Sequence, residues 1–282
     1  MRGPLLRRRG LSFPGINSGF DPSHVAANNA RFSGVASNAV QFRNLLTGHR
    51  ANTVNGTPAF VMDGLIGPSV QFGVSPSDSL DFTGAPSVTD ANFTIAAIFR
   101  TNTPSGDFCA WFSGSITNYQ MYHDQSTNNL AVQGTIGGGG VTSTLPIADN
   151  TYYFAAVSVS PTVSNFVTTR LDTGSIRTGT GASPGSAAGT GTWEVGANAQ
   201  FSQTAKSQIA TAMASGTFLT IPQLRAWAAD PWSYWYPTLA SVVAFDPAFV
   251  SVPAAVIPPS APFSGPVFSD FGQVTYDTVI LS

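Results

Sequence analysis

The chain has 282 residues, of which 43 % are hydrophobic and only 9 % are charged, and its formal net charge is −2. This composition excludes a charge-driven disordered chain, and the near-neutral balance gives no basic signature for nucleic acid. The 28 glycines and 20 prolines favour short strands joined by turns. We therefore expect one large all-β domain with extensions rather than two full domains, and the single cysteine excludes an intrachain disulfide.

Residues 1–27 are predicted to form an extended N-terminal arm, because they show no sustained periodicity and contain three prolines. No apolar core of a secretory signal peptide is visible, so we expect synthesis in a cytoplasm. No run approaches the roughly 18 apolar residues of a membrane span, and no membrane partner is expected. One basic cluster is either merely solvated or pairs with acidic or phosphate groups on a neighbour: Arg7, Arg8 and Arg9.

The body is predicted to span residues 28–237 as an antiparallel β-sandwich. Large side chains recur at every second position from Phe93 to Arg100 and from Tyr152 to Val157, as in strands with one buried face. The same pattern returns more weakly from Phe166 to Asp172. Residues 178–192, rich in Gly, Ser, Thr and Ala, are predicted to form a long loop.

One short helix is predicted near the end of this body. Thr220 and Gln223 have the spacing of a capping box, in which each side chain satisfies a free backbone N–H at the helix start. Apolar residues at helical spacing follow, and Pro231 prevents continuation past Asp230. The helix is therefore expected to cover Ile221–Ala229, about two turns.

Residues 238–282 are predicted to form a proline-rich C-terminal arm. Six prolines between positions 247 and 266 interrupt its apolar pieces. The arm is too apolar for a solvated linker and too broken by proline for a core of its own. It either lies extended on another surface, including as an added strand, or folds back on its own sandwich.

Five segments carry a family resemblance by their order. They are Asn44–Pro58, Ser69–Phe72, Phe93–Arg100, Trp193–Asn198, and the capped helix closed by Ala229-Asp230-Pro231-Trp232. This order resembles the laminin-G-like, concanavalin-A-like jelly-roll domains that are frequent in bacteriophage structural proteins. The resemblance covers roughly residues 44–237 and implies an antiparallel concanavalin-A-like β-sandwich. In Gly73–Ser79 the chain departs from the family, because most of an acidic loop that could help hold calcium is missing.

The chain is predicted not to be an enzyme, and neither a metal nor a cofactor is expected. Glu194 is its only glutamate, so the two-carboxylate strand of glycosidases on a concanavalin-A-like scaffold cannot form, and the aspartates are interpreted as scattered singly through turns. The Gly-x-Ser-x-Gly match at Gly181–Gly185 is rejected, because Pro184 has no N–H to offer an oxyanion hole. The three histidines lie far apart: His24, His49 and His123.

Two groups of aromatic residues have alternative interpretations. The first group is Trp111, Tyr119 and Tyr122. These residues either line a concave sheet and stack on sugar rings, as the lectin-like resemblance implies, or belong to the core. We prefer the core for Trp111. The second either caps the end of the sandwich or anchors a neighbour: Trp232, Trp235 and Tyr236.

These features lead to the hypothesis of a non-enzymatic bacteriophage virion protein, most specifically a capsid decoration protein fixed by its arms. Its partners would be other virion proteins, above all the major capsid protein, and further copies of itself. The apolar anchors of the C-terminal arm would be Val242, Phe245, Phe249 and Ile257. The alternative is a carbohydrate-binding module of a tail or host-adsorption protein, with a host-surface glycan as its partner.

Overall fold

The computed structural model describes residues 21, 23–37, 41–73, 78–83, 88–102, 109–114, 118–134, 140–185, 187–189, 192–198 and 203–235. The chain separates into two units, residues 1–238 and 239–282, and every described residue belongs to the first. The predicted arm at 238–282 and residues 1–20 of the N-terminal arm lie outside the described residues. Their extended character remains a prediction.

Twenty strands and one α-helix make up the described part of the chain. They are β1 (Ala30–Ser37), β2 (Gln41–Asn44), β3 (Thr53–Asn55), β4 (Ala59–Asp63), β5 (Gly67–Gln71), β6 (Ser79–Thr83), β7 (Val88–Asp90), β8 (Phe93–Thr101), β9 (Cys109–Gly114), β10 (Asn118–Asp124), β11 (Asn129–Gln133), β12 (Val141–Pro146), β13 (Tyr152–Val159), β14 (Val163–Arg170), β15 (Ser175–Ala182), β16 (Ala187–Gly189), β17 (Thr192–Val195), β18 (Ala197–Asn198), β19 (Gln203–Thr204), β20 (Ser207–Ser215) and α1 (Ile221–Ala229).

Two antiparallel sheets form the body and confirm the predicted all-β sandwich. The nine-stranded sheet has the order β15-β14-β13-β8-β20-β1-β2, and β5 joins it by pairing with β20 and carries β4. The seven-stranded sheet has the order β12-β11-β10-β9-β17-β6-β3. Two small hairpins, β7 with β16 and β18 with β19, complete the described strands. This arrangement is a jelly-roll-like β-sandwich.

The main core lies between the two sheets and is rich in aromatic side chains. Phe32, Phe99 and Phe166 come from the nine-stranded sheet, and Phe112 and Trp193 come from the seven-stranded sheet. The Phe112 and Trp193 rings stack with centroids 5.6 Å apart. Burying each such side chain is worth about 1.5–3 kcal/mol, so this layer contributes strongly to the stability of the described body.

A second apolar cluster lies on the outer side of the nine-stranded sheet. Strands β8 and β13 were expected to bury one face, but Ile98 and Phe154 on their other face are also fully buried. Helix α1 supplies the cover through Leu224, Trp227 and Ala228. The two central strands are therefore apolar on both faces because a layer covers each face.

The helix has the predicted boundaries, Ile221–Ala229, and its capping box is present. The Gln223 side-chain oxygen accepts hydrogen bonds from the Thr220 backbone N–H at 2.9 Å and from its hydroxyl at 2.8 Å. The Asp230 backbone N–H, just before Pro231, donates to the carbonyl of Trp227 and closes the last turn. In the described part of the chain, no helix is both long enough and apolar enough to cross a membrane.

The predicted loop at residues 178–192 is wrong at residues 178–182, because β15 runs to Ala182, and at residues 187–189, which form β16. All eight residues of β15 pair with β14 without a break in register. Its glycines have a packing role, since a Cβ added to Gly181 would lie 2.6 Å from the Cγ1 of Val141 in the facing sheet. Gly181 therefore marks a close approach of the two sheets rather than a loop.

The N-terminal arm was predicted to extend to residue 27, but residues 23–27 pack on the body. A 3₁₀ turn covers Val25–Ala27, and Ala26 is fully buried in the outer cluster. The Nδ1 atom of His24 accepts a hydrogen bond from the Ala26 backbone N–H at 3.2 Å and caps this turn. Absence of periodicity in so short a segment did not mean absence of packing.

Candidate functional site

The outer face of the seven-stranded sheet is polar. The strand register places Glu194 between Asp81 of β6 and Ser113 of β9, and Gln120 of β10 opposite Ser113. The residues next to these four in sequence, such as Phe82 and Val195, point into the main core, so alternation directs the four outward. We call this row the polar face, defined by Asp81, Ser113, Gln120 and Glu194.

Two carboxylates lie side by side on the polar face. Asp81 and Glu194 are register partners on neighbouring strands, although 113 positions separate them in the sequence. The Asp81 carboxylate accepts hydrogen bonds from the Asn55 side-chain amide at 2.7 Å and from the Ser79 hydroxyl at 2.8 Å. The expectation that the aspartates lie singly in turns is therefore wrong for Asp81. The two carboxylates are brought together by the pairing of strands far apart in the sequence, and no local sequence motif indicates this.

Glu194 is nevertheless enclosed, with only 3 % of its surface exposed. The hydroxyl of Ser113 lies 3.4 Å from its Oε2 and 3.2 Å from the carbonyl oxygen of Ala197 in β18. Strand β18 thus lies over this end of the polar face. Glycosidase carboxylates must flank the scissile bond of a sugar, and a side chain enclosed in this way has no such access.

Trp111 belongs to the core, which contradicts its alternative role in sugar stacking. Its indole is fully buried, stacks on Phe99 with ring centroids 4.4 Å apart, and donates a hydrogen bond from Nε1 to the Ser207 hydroxyl at 3.0 Å. The register of β9 against β10 shifts between Ala110 and Phe112. This bulge turns Trp111 to the same side as Phe112, toward the core.

Tyr122 is the member of the predicted sugar-binding group that the structure describes on the outer side of the seven-stranded sheet. It pairs with Ala131, is 8 % exposed, and its hydroxyl contacts Gly140. Burial, with a smaller contribution from the charge of Asp124, raises its pKa to about 12, so the phenol keeps its proton. Tyr119 lies in β10, but its side chain is outside the described residues.

The other chemical candidates are separate or engaged. The Ser183 hydroxyl of the Gly-x-Ser-x-Gly match donates to the Ser160 carbonyl at 2.7 Å and accepts from the Gly185 N–H at 3.2 Å. His123 is buried near Trp111, whereas His24 lies beside Trp227. Over the described ranges, no group of three or more His, Cys, Asp or Glu side chains is placed to hold a metal ion.

Trp232 and Trp235 cap the sandwich, and the partner-anchor interpretation of these two residues is wrong. Both belong to the outer apolar cluster, where Trp235 packs on Trp227 with ring centroids 5.9 Å apart and on Tyr234 at 5.0 Å. A side chain buried inside its own domain is not available to a neighbour. The remaining predicted partner residues lie outside the described residues: Arg7, Arg8, Arg9, Tyr236, Val242, Phe245, Phe249 and Ile257.

A second site joins the two ends of the described chain. The backbone N–H of Asp21 donates to the carbonyl of Tyr234 at 2.7 Å. The His24 ring packs edge-on against Trp227 at 4.9 Å and against Tyr234 at 5.6 Å between centroids. Burial lowers the pKa of His24 to about 4, although the charge of Asp21 opposes this shift. We call this arrangement the terminal latch, defined by Asp21, His24, Trp227 and Tyr234.

No protein-family model and no curated protein matches the sequence. Among solved structures, the binding domain of Paraclostridial Mosquitocidal Protein 1 is similar, with a TM-score of 0.52 and 12 % identity over 71 % of this chain and 52 % of that chain. The binding domain of botulinum neurotoxin serotype D has a TM-score of 0.50 and 8 % identity over 73 % and 52 % of the two chains. This chain therefore spans about half of those chains, and at these identities the likeness is one of fold.

Proposed function

We propose that this chain is a non-catalytic structural protein of a bacteriophage virion, and most specifically a capsid decoration protein. In this proposal the β-sandwich is the displayed body, and residues 1–20 and 238–282 fix it to the major capsid protein and to other copies of itself. The order of the family-like segments supports the phage assignment. The low content of charged residues, 9 %, suits a surface packed against neighbours, because little charge repulsion opposes association.

One observation carries this proposal. The main core and the outer apolar cluster are built from residues between Ala26 and Trp235, so the described body has its own core. The sequence after position 238 nevertheless holds large apolar side chains, among them Val242, Phe245 and Phe249. Each would gain about 1.5–3 kcal/mol by leaving water, enough together to offset part of the ordering cost of an extended segment. A neighbouring protein surface is the natural place for them.

We propose a non-catalytic protein because of the arrangement of the carboxylates on the polar face. Asp81 and Glu194 are the nearest approach to a catalytic pair among the described residues, and Glu194 is enclosed beneath β18. Some solved proteins with a similar fold are binding domains, which suits a binding role here. Hydrolysis of a polysaccharide that disappears in Glu194→Gln would contradict the proposal.

The test is the composition of purified particles. We expect the chain to co-purify with intact virions at a fixed ratio to the major coat protein, measured by quantitative mass spectrometry. Deletion of Leu239–Ser282 should leave the circular dichroism and the solubility of the body unchanged but should remove it from particles. Full occupancy by the tail-less chain would contradict the proposal.

A further inference from the structure

The nine-stranded sheet ends at a long edge strand, β15. This strand pairs on one side with β14 at all eight positions without a register shift, and among the described strands none pairs with its other side. None of its residues is buried, and four are exposed: Ser175, Arg177, Thr180 and Ala182. One row of backbone N–H and C=O groups is therefore left without a partner strand over about 27 Å, at about 3.4 Å per residue.

The other edges of the described sheets are short or protected. Strand β3 has three residues and β2 has four, and Arg43 of β2 also forms a bridge with Arg50. Strand β12 ends at Pro146, and its register with β11 is irregular. Strand β4 has five residues and directly follows Pro58. Short strands, prolines and irregular register are devices that limit edge-to-edge pairing, so β15 is the described edge most open to an added strand.

The two faces of β15 carry different residues. A Cβ added to Gly179 would lie 3.6 Å from the Cγ of Leu145 in the facing sheet, so Gly179 and the alternate residues Arg177 and Gly181 lie on the inner face. Ile176 packs against the outer apolar cluster, so the other set of alternate residues lies on the outer face. That outer set is completed by Thr178 and Thr180.

The charge on this edge is compatible with a second copy of the same strand. In an antiparallel pair related by a twofold axis, residues of the inner face lie opposite residues of the inner face. If the axis passes at Thr178, Arg177 lies opposite Gly179 of the other copy, and if it passes at Gly179, Arg177 lies opposite Gly181. Arg177 is the one charged residue of β15. In neither register does it meet its own copy, and a glycine leaves room for its guanidinium.

We propose that two copies of this chain pair through the free edges of their β15 strands, in antiparallel orientation, and so form one sheet that is continuous across the dimer. In both registers each outer threonine lies opposite a threonine or an isoleucine, and such pairs stabilise antiparallel strands. The pairing forms about eight backbone hydrogen bonds. Little charge repulsion opposes it, because only 9 % of the residues are charged. The inference goes beyond the proposed function, since this dimer does not need a virion.

Sedimentation velocity of the full chain over a series of concentrations tests the proposal, and we expect a monomer–dimer equilibrium. The test variant combines Thr178→Lys with Thr180→Lys, because in either register these changes place lysines directly opposite each other across the dimer. The dissociation constant should rise about tenfold. The matched control combines Thr53→Lys with Val54→Lys, which adds the same two charges at exposed positions of β3 in the other sheet. It should leave the dissociation constant unchanged.

Hydrogen–deuterium exchange of the unaltered chain gives a second measurement, which stands even if the lysine variant does not fold. The backbone amides of Ser175–Ala182 should exchange more slowly at high than at low protein concentration. Equal exchange at both concentrations would overturn the inference. So would a chain that stays monomeric up to about 100 μM, or a dimer that the folded test variant and the control weaken equally. Co-purification with virions is a separate measurement, so this inference and the proposed function fail independently.

Discussion

The two outer faces of the sandwich are stabilised by different interactions, one by apolar burial and the other by hydrogen bonds. The face of the nine-stranded sheet is apolar and is covered by helix α1 and the aromatic turn after it, through Trp227, Tyr234 and Trp235. The face of the seven-stranded sheet is polar, and Asp81 and Glu194 are held there among hydroxyl and amide groups. One face is a second hydrophobic core, whereas the other is a hydrogen-bonded surface.

This contrast shows that the residues of a strand reflect how many of its two faces are covered by an apolar layer. Strand β8 is apolar at every position from Ile95 to Phe99 because a layer lies on each side of it. Strand β17 alternates Trp193, Glu194 and Val195, because only its inner side meets the core. The composition of a strand thus predicts the number of apolar layers around it better than its alternation alone.

The largest expected effect is at the apolar face. Trp227→Ala should lower the free energy of unfolding by about 3–5 kcal/mol, because it leaves a large cavity between the helix and Phe154. Urea denaturation measures the change. Arg225→Ala, at an exposed position of the same helix, is the control and should change stability by less than about 0.5 kcal/mol. Similar losses for the two variants would mean that the helix does not form a second core.

A smaller loss is expected at a carboxylate buried just before β6, through hydrogen bonds rather than volume. Asp78 is fully buried and accepts from the Thr57 N–H at 2.7 Å and the Gly73 N–H at 3.1 Å. Asp78→Ala should cost about 2–3 kcal/mol in denaturant unfolding, because both donors lose a charged acceptor. Asp172→Ala removes an exposed ion pair with Arg170 and should cost under about 1 kcal/mol. Equal costs would contradict the distinction between the two sites.

The latch should respond to pH. Because burial lowers the pKa of His24 from 6.5 to about 4, the unfolded or released segment binds a proton more readily than the packed one between these values. The stabilisation by His24 is therefore complete above pH 6.5 and declines as the pH falls toward 4. NMR titration of the histidines measures it, with His49→Asn as an exposed control for assignment. A His24 that titrates near 6.5 in the folded protein would contradict the packed latch.

The smallest effect is expected at the helix start. Thr220→Ala removes the hydroxyl that bonds to Gln223 and should reduce stability by about 1 kcal/mol, measured by urea denaturation. Thr220→Ser keeps the hydroxyl and is the matched control. If both variants lose the same amount, the capping box does not contribute to the attachment of α1.

Local signals predicted the regular elements well. Residues 220–231 contain a start, a periodic face and a stop within twelve positions, and α1 has the predicted bounds. The long strands β8 and β13 followed from their alternation. Strand β15 was missed because its glycines and threonines lack an apolar face of their own. Its position is determined by pairing with the neighbouring strand β14 and by the close approach of the facing sheet.

The candidate site was harder to predict, because its chemistry depends on contacts between distant segments. Trp111 and Trp235 look alike in the sequence as possible binding residues, yet both are buried in different clusters. The register shift that turns Trp111 inward is a property of two strands. Likewise Asp81 becomes half of a carboxylate pair only when β6 and β17 align.

The sequence by itself determined the all-β class, the single capped helix and the lack of a local catalytic motif, because these depend on composition and on spacings of a few residues. Only the tertiary structure decided which aromatic rings are buried, that Glu194 faces Asp81, and that Asp21 meets Tyr234. Each of these depends on the register and packing of strands far apart in the chain. Residues that meet across such distances have no fixed spacing in the sequence, because the length of the chain between them is not constrained. These contacts can therefore be seen only in the folded sandwich.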